Sequence, residues 1–155
     1  LIAVDSASDL SDKVGTLLGR SEWIDLSADA IAAFGKTTGD EHWIHVDRER
    51  ASKEGPFGDV IAHGFFLLSL VTGLGNQCYQ VRNAQQWTNY GLDRVRFTAP
   101  VTPSDSVRLA ISLESLDRIA SGFRLVFDCE LELKGSPRPA MVARWIVLLT
   151  ERATP

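Results

Sequence analysis

The sequence predicts an α+β fold in which an antiparallel sheet curves around one apolar helix. Two features carry that expectation. Residues 60–81 hold no Asp, Glu, Lys or Arg, and Phe65, Phe66, Leu67, Leu68, Leu70, Val71 and Leu74 put apolar side chains on nearly every side of a helix starting at Gly64. A helix of that kind has to be wrapped. The second half supplies four long apolar or alternating stretches with the period of strands. At 155 residues, without repeats, low-complexity segments or a second-domain linker, 1–155 is expected to be one unit with a loose tail at 151–155.

Residues 1–20 are mixed and weakly patterned. Ile24 and Leu26 alternate with Asp25 and Ser27 as a short strand, imperfectly because Trp23 falls on the same side as Asp25. Ser27 offers an N-cap to a helix over 28–34, with Gly35 or Gly39 as its exit. Residues 37–58, dense in Gly, charge and His, read as a long connection with one helical turn near 47–52. Its length makes it a candidate for function. After the apolar helix, strands are expected over 86–98, 107–113, 123–131 and 141–149, and Val126 breaks an otherwise clean alternation in the third. Ser121-Gly122 and Gly135-Ser136-Pro137 supply turns.

A make-up of 45% hydrophobic and 23% charged residues excludes wholesale disorder, collagen and coiled coil. The net charge of −4 gives no broad footprint for nucleic acid. His63, three glycines and Asn76 interrupt the charge-free run, so a buried helix fits it better than a membrane span. Two cysteines, Cys78 and Cys129, are too few for a disulfide scaffold and suit a reducing, cytoplasmic setting.

All three histidines, His42, His45 and His63, fall within 22 residues. In a curled segment, Asp40 and His45 could converge, the imidazole accepting a proton from water and the carboxyl managing a second transfer; the competing interpretation is a loop whose Asp and His cap local backbone. Gly64, at the start of the apolar helix, could let a ligand oxygen approach backbone donors, or could relieve crowding while His63 packs. The spacing of Asp40, His42, His45 and His63 matches no strong zinc signature, and no metal is expected. The sequence contains no G-x-S-x-G elbow, P-loop or G-x-G-x-x-G, so nucleotide cofactors are not implied. Arg94 and Arg96 share one strand face and, with Arg82, are candidate phosphate contacts, though ordinary solvent-facing charges are the alternative. Trp87 and Tyr90 would either line an acyl pocket or complete a core or subunit interface.

These residues carry a resemblance to the MaoC-like dehydratases, a family that includes (R)-specific enoyl-CoA hydratases and nodulation protein N-like proteins. It rests on 34–47, Gly55-Pro56-Phe57-Gly58, Ile61-Ala62-His63-Gly64 with the following helix, and Asn89-Tyr90-Gly91 leading to Arg96-Phe97-Thr98-Ala99-Pro100-Val101. The resemblance implies a hot-dog fold, a homodimer, and reversible syn hydration of trans-2-enoyl-CoA to (3R)-3-hydroxyacyl-CoA. Asp40 and His45 fall on the catalytic pair and Gly64 on the oxyanion-hole glycine. His42 and Trp43 depart from the D-x-N-P-x-H order, which brings the motif nearer to the nodulation protein N-like branch; His42 would take over substrate positioning from Asn. Thr72, or less well Ser69, would supply a hydroxyl supporting Asp40, while His63 and Tyr90 would help to position substrate. Coenzyme A is part of the substrate, and no separate cofactor is implied. An acyl-CoA thioesterase and a non-catalytic acyl-CoA-binding subunit are the alternatives.

Overall fold

The alternating second half forms one antiparallel sheet. The computed structural model describes residues 1–152. Its elements run β1 (Ile2–Val4), a 3-10 helix (Ala7–Lys13), β2 (Thr16–Arg20), β3 (Ile24–Asp25), α1 (Ala28–Thr38), α2 (Trp43–Val46), α3 (Arg48–Glu54), α4 (Gly64–Gly75), β4 (Tyr79–Val81), β5 (Ala84–Phe97), β6 (Ser106–Ile119), β7 (Gly122–Leu133) and β8 (Met141–Glu151). The sheet order is β2-β6-β7-β8-β5, with β3 also pairing β6, while β1 and β4 form a separate parallel pair.

Alternation sorts the sheet into two faces. Leu109, Ile111 and Leu113 on β6, Leu125, Phe127 and Leu131 on β7, and Met141, Val147 and Leu149 on β8 are buried in the core. Arg108, Asp128 and Arg144 belong to the opposite set, where Arg144 donates to Asp128 at 2.9 Å. Val126 is paired with Ile146; both are buried but lie outside the main core cluster, so the break in alternation fills a small apolar patch on the outer face. Bulges in β5 and at Leu113/Ser115 in β6 add bend and twist. This is the hot-dog arrangement that the motifs imply, with α4 against the inner face of the sheet.

The wrapping is one-sided. Leu67, Val71, Leu74 and Gly75, one stripe of α4, are buried, whereas Phe65 is 71% exposed and Ser69 and Thr72 face solvent. The sequence expectation of a helix enclosed on nearly every side is met for half of its circumference. β5, at the sheet edge, is exposed over most of its length.

The first twenty residues, unpatterned in sequence, are ordered by partners: β1 lies beside β4, and β2 beside β6. α1 runs on to Thr38, past residue 34, and ends at Gly39, the second of the two expected exits, in the left-handed region, φ 80°. The long connection holds two short helices rather than one turn, because His42 and Asp47 each cap one. Of the expected loose tail, Glu151 closes β8 and accepts from Ser6 Oγ at 2.9 Å and Ala7 N at 2.7 Å; residues 153–155 lie outside the described residues. Among the described residues, no helix is long and apolar enough to cross a membrane.

Phe127 is fully buried between Tyr79 and Trp145, with ring centroids at 5.0 and 5.5 Å. Phe127→Ala is expected to lower unfolding free energy by about 3–5 kcal/mol; a urea titration should show a lower midpoint at unchanged slope.

Candidate active site

Three stretches of chain meet at the N-terminus of α4. Ile61 N–H donates to the Ile44 carbonyl at 3.0 Å, and Ala62 N–H to the Val101 carbonyl at 2.8 Å, so the approach to α4 is clasped between α2 and the segment after β5. His45, on α2, contacts the Ile61 carbonyl through Nδ1 at 2.7 Å. His63, at the N-cap of α4, contacts the Asp40 carbonyl through Nε2 at 2.8 Å. Gly35 makes this closeness possible: a Cβ there would lie 2.8 Å from the Asp40 carbonyl oxygen and 3.3 Å from the His63 ring.

A carbonyl oxygen only accepts, so these contacts assign the ring hydrogens. His45 carries hydrogen on Nδ1 and keeps a lone pair on Nε2. His63 carries hydrogen on Nε2. The two rings stack with centroids 3.8 Å apart and planes 24° from parallel, and one ligating atom each of Asp40, His45 and His63 lies within 4.8 Å of the others. Burial pushes the His45 imidazole below the ordinary value of 6.5, as do the neighbouring His63 and His42; the Ile61 hydrogen bond and the Asp40 charge oppose the shift. The result is an imidazole that stays neutral at pH 7, with its basic nitrogen free.

His45 opens onto a cleft of about 300 Å³, lined also by Phe57, Ile61, Gly64, Leu67, Phe97 and the backbone run to Val101. His63 spends no side-chain bond on the first amides of α4, and the ladder begins with Leu67 N–H donating to the His63 carbonyl at 3.1 Å. The amides at Gly64 and Phe65 therefore have no intrahelical partner and can serve an incoming oxygen. Phe97 lies over Gly64, where a Cβ would come within 2.7 Å of its ring. Phe97, Gly35 and the Ile61 carbonyl were not singled out from sequence. Phe97 belongs to a quoted motif, but a backbone acceptor and a helical glycine leave no side-chain signal.

The remaining expected residues are placed elsewhere or differently. His42 caps α2, with Ile44 N 3.5 Å from its Nδ1, and Trp43 packs under the Arg50 guanidinium at 4.5 Å. His63 is 2% exposed and sits behind His45, out of contact with the cleft's open space. Thr72 lies eight residues beyond Gly64, about 12 Å along the helix. It faces a cavity of about 610 Å³ shared with Asn76, Trp87, Asn89 and Trp145, and an adjoining hollow of about 450 Å³ shared with Ser69 and Tyr90. Ser69 donates to the Phe66 carbonyl at 2.7 Å. Arg82 pairs with Asp5 at 2.7 Å, and Arg94 and Arg96, in register with Arg144 and Val142, point to the face of β5 opposite Phe97. Within one chain, none of these arginines, nor Thr72 or Tyr90, reaches the His45 cleft. As a metal site, the Asp40, His45 and His63 cluster is poorly aimed, since near-parallel stacked rings send their in-plane lone pairs side by side rather than to one point.

Residues 9–124 match the family model described as MaoC like domain. The chain belongs to the MaoC-like family. It is 40% identical over 144 residues to 3-hydroxyacyl-thioester dehydratase Z of Mycobacterium tuberculosis, covering 92% of this chain and 95% of that protein. It is 38% identical over 146 residues to nodulation protein N of Rhizobium leguminosarum bv. viciae, covering 93% and 91%. The likeness thus spans a dehydratase and a nodulation protein instead of singling out the nodulation branch expected from D-x-x-W-I-H. A MaoC-like dehydratase from Rhodospirillum rubrum superimposes with a TM-score of 0.73 at 20% identity, covering 96% of this chain and 99% of that one, which shows the shared fold.

Because folding makes His45 harder to protonate, the unfolded chain takes up that proton first as pH falls. Stability should therefore drop as pH falls through 6.5 and level off below the lowered folded value. Urea unfolding between pH 7.5 and 5.5 should show this slope weakened in His45→Asn.

Proposed function

We propose that this MaoC-like protein is an (R)-specific enoyl-CoA hydratase and 3-hydroxyacyl-CoA dehydratase, a lyase acting on acyl-CoA thioesters. The observation that carries the proposal is the free Nε2 of His45 beside Asp40 and the open amides at the start of α4. Support also comes from the 40% identity to a protein named 3-hydroxyacyl-thioester dehydratase Z.

In the hydration direction, His45 Nε2 takes a proton from water as its oxygen bonds to C3. The C2–C3 π electrons move toward the thioester, and the Gly64 amide holds the oxygen on which negative charge grows. In the form competent for hydration Asp40 holds a proton, delivers it to C2 as the carboxylate forms, and regains one from the imidazolium of His45. Water is consumed whole and the thioester bond stays intact. A carboxylate oxygen of Asp40 and a ring nitrogen of His45 lie within 4.8 Å of each other, so in this reading hydrogen and hydroxyl add from the same face. Phe97 must yield space over Gly64 for the thioester.

A homodimer belongs to the same proposal. Phe65, Tyr90, Leu92 and Phe97 are exposed along the open half of α4 and the unpaired edge of β5, and a second copy related by a two-fold axis would cover both. In that assembly Thr72, Tyr90 and a basic contact for the coenzyme A phosphates, from Arg82, Arg94 or Arg96, would come across the subunit boundary; sedimentation at the monomer mass would contradict it. The entire chain is taken as one hot-dog unit, because β1 pairs with β4 and Glu151 ties the last strand to Ser6 and Ala7. Its free, buried thiols fit a reducing cytoplasmic setting.

Purified protein should hydrate short trans-2-enoyl-CoA, followed by loss of enoyl absorbance. His45→Ala and Asp40→Asn should each lower kcat by about 10²–10⁴-fold while remaining folded. Release of free thiol without hydration would instead identify a thioesterase, and tight binding without turnover a non-catalytic subunit.

A further inference from the structure

His63 is the polar side chain that the mechanism above leaves unused. It is buried between aromatic neighbours, with the Phe34 ring centroid 5.2 Å away on one side and the His45 ring stacked at 3.8 Å on another. Phe34 itself stacks on Phe66 at 5.0 Å, which ties this group to α4. Nε2–H is committed to the Asp40 carbonyl at 2.8 Å. Nδ1 is fully buried with no hydrogen-bond partner, the single such side-chain atom among the described residues.

A buried polar atom without a partner is costly, and a structure that keeps one has a use for the rest of that side chain. Phenylalanine would give the stack without the orphan nitrogen, and glutamine would give the donor without the ring. Imidazole gives both in a small ring, a flat face for His45 and an in-plane N–H for the Asp40 backbone. We propose that His63 is a positioning residue, which through its Nε2–H bond to the Asp40 carbonyl and its stack on the His45 ring holds the carboxylate and the base in register without touching substrate.

The two contacts act on different parts of the site. The hydrogen bond fixes the turn after Gly39 and hence where the Asp40 carboxyl can reach. The stack closes one face of His45 to water and sets its plane, so that Nδ1 meets Ile61 and Nε2 meets the cleft. A second hydrogen on His63, at Nδ1, would be a buried donor with no acceptor beside the His45 ring. The titratable groups facing His45 are Asp40 from the preceding turn, His42 from the N-cap of α2, and His63 from the N-cap of α4.

The kinetic part of this inference rests on the hydratase proposal, whereas its titration part needs no substrate. In the wild-type protein, ¹⁵N chemical shifts should place the His63 hydrogen on Nε2 and the His45 hydrogen on Nδ1, with His45 titrating below 6.5. In His63→Gln, which keeps a donor but loses the ring, the His45 midpoint and the acid limb of kcat/KM for crotonyl-CoA should both rise toward 6.5. In His63→Phe, which keeps the ring but loses the donor, the limb should stay low. Both variants should lose roughly 10- to 100-fold in kcat at unchanged KM, as expected for misplaced reacting groups. A wild-type His63 hydrogen on Nδ1, an unmoved His45 midpoint in folded His63→Gln, or a raised KM at full kcat would overturn the proposal. If the wild type hydrates no enoyl-CoA, the hydratase proposal falls, and the His45 titrations still decide the role of His63.

Discussion

The hydrogen bond from His45 Nδ1 to the Ile61 carbonyl sets the terms for the rest of the site. At 2.7 Å it spends one ring nitrogen on the backbone and leaves the other to chemistry. Its direction depends on Ile61 being held by Ile44, and on Ala62 being held by Val101, so that a short helix, an extended approach and the end of the sheet converge before any substrate arrives. The same clasp delivers the first amides of α4 to the cleft. The base and the amide donors are thus positioned by bonds to the backbone, while the backbone of Asp40 is held by the His63 side chain.

The sheet makes the clasp affordable by carrying the core elsewhere. β6, β7 and β8 bury their alternate residues against one stripe of α4, which leaves the helix start free of packing duties. The other half of α4 and the edge of β5 are left uncovered, with Phe65 71% and Tyr90 65% exposed. Large apolar groups in that position are what the proposed second copy would cover, and Thr72 and Tyr90 line hollows of their own within one chain.

The strands of the second half and the central helix were legible because their apolar patterns have different periods. Asp40, His45 and Gly64 were legible as a set because the order of their motifs is distinctive. The first strands were not, since β1 and β2 are imposed by distant partners and have no pattern of their own. For α1 the sequence left Gly35 and Gly39 as alternative exits; the helix ends at Gly39, and Gly35 is kept for the close approach of Asp40 and His63, which no local pattern shows. For His63 the sequence left two readings open, contact with substrate and packing beside Gly64, and its burial fits the packing one. Nothing in the spacing of one histidine announces a ring stack, and the 3.8 Å contact with His45 is seen only in the fold. The arginines of β5 show that sharing a strand face says nothing about which face it is.

The central claim is that Asp40 and His45 act on one substrate from one side. Hydration of crotonyl-CoA in D₂O, with the product's C2 configuration read by ¹H NMR, tests it directly. A single diastereomer with deuterium and hydroxyl added to the same face is the predicted result. Anti addition, or a mixture of both configurations at C2, would contradict the account.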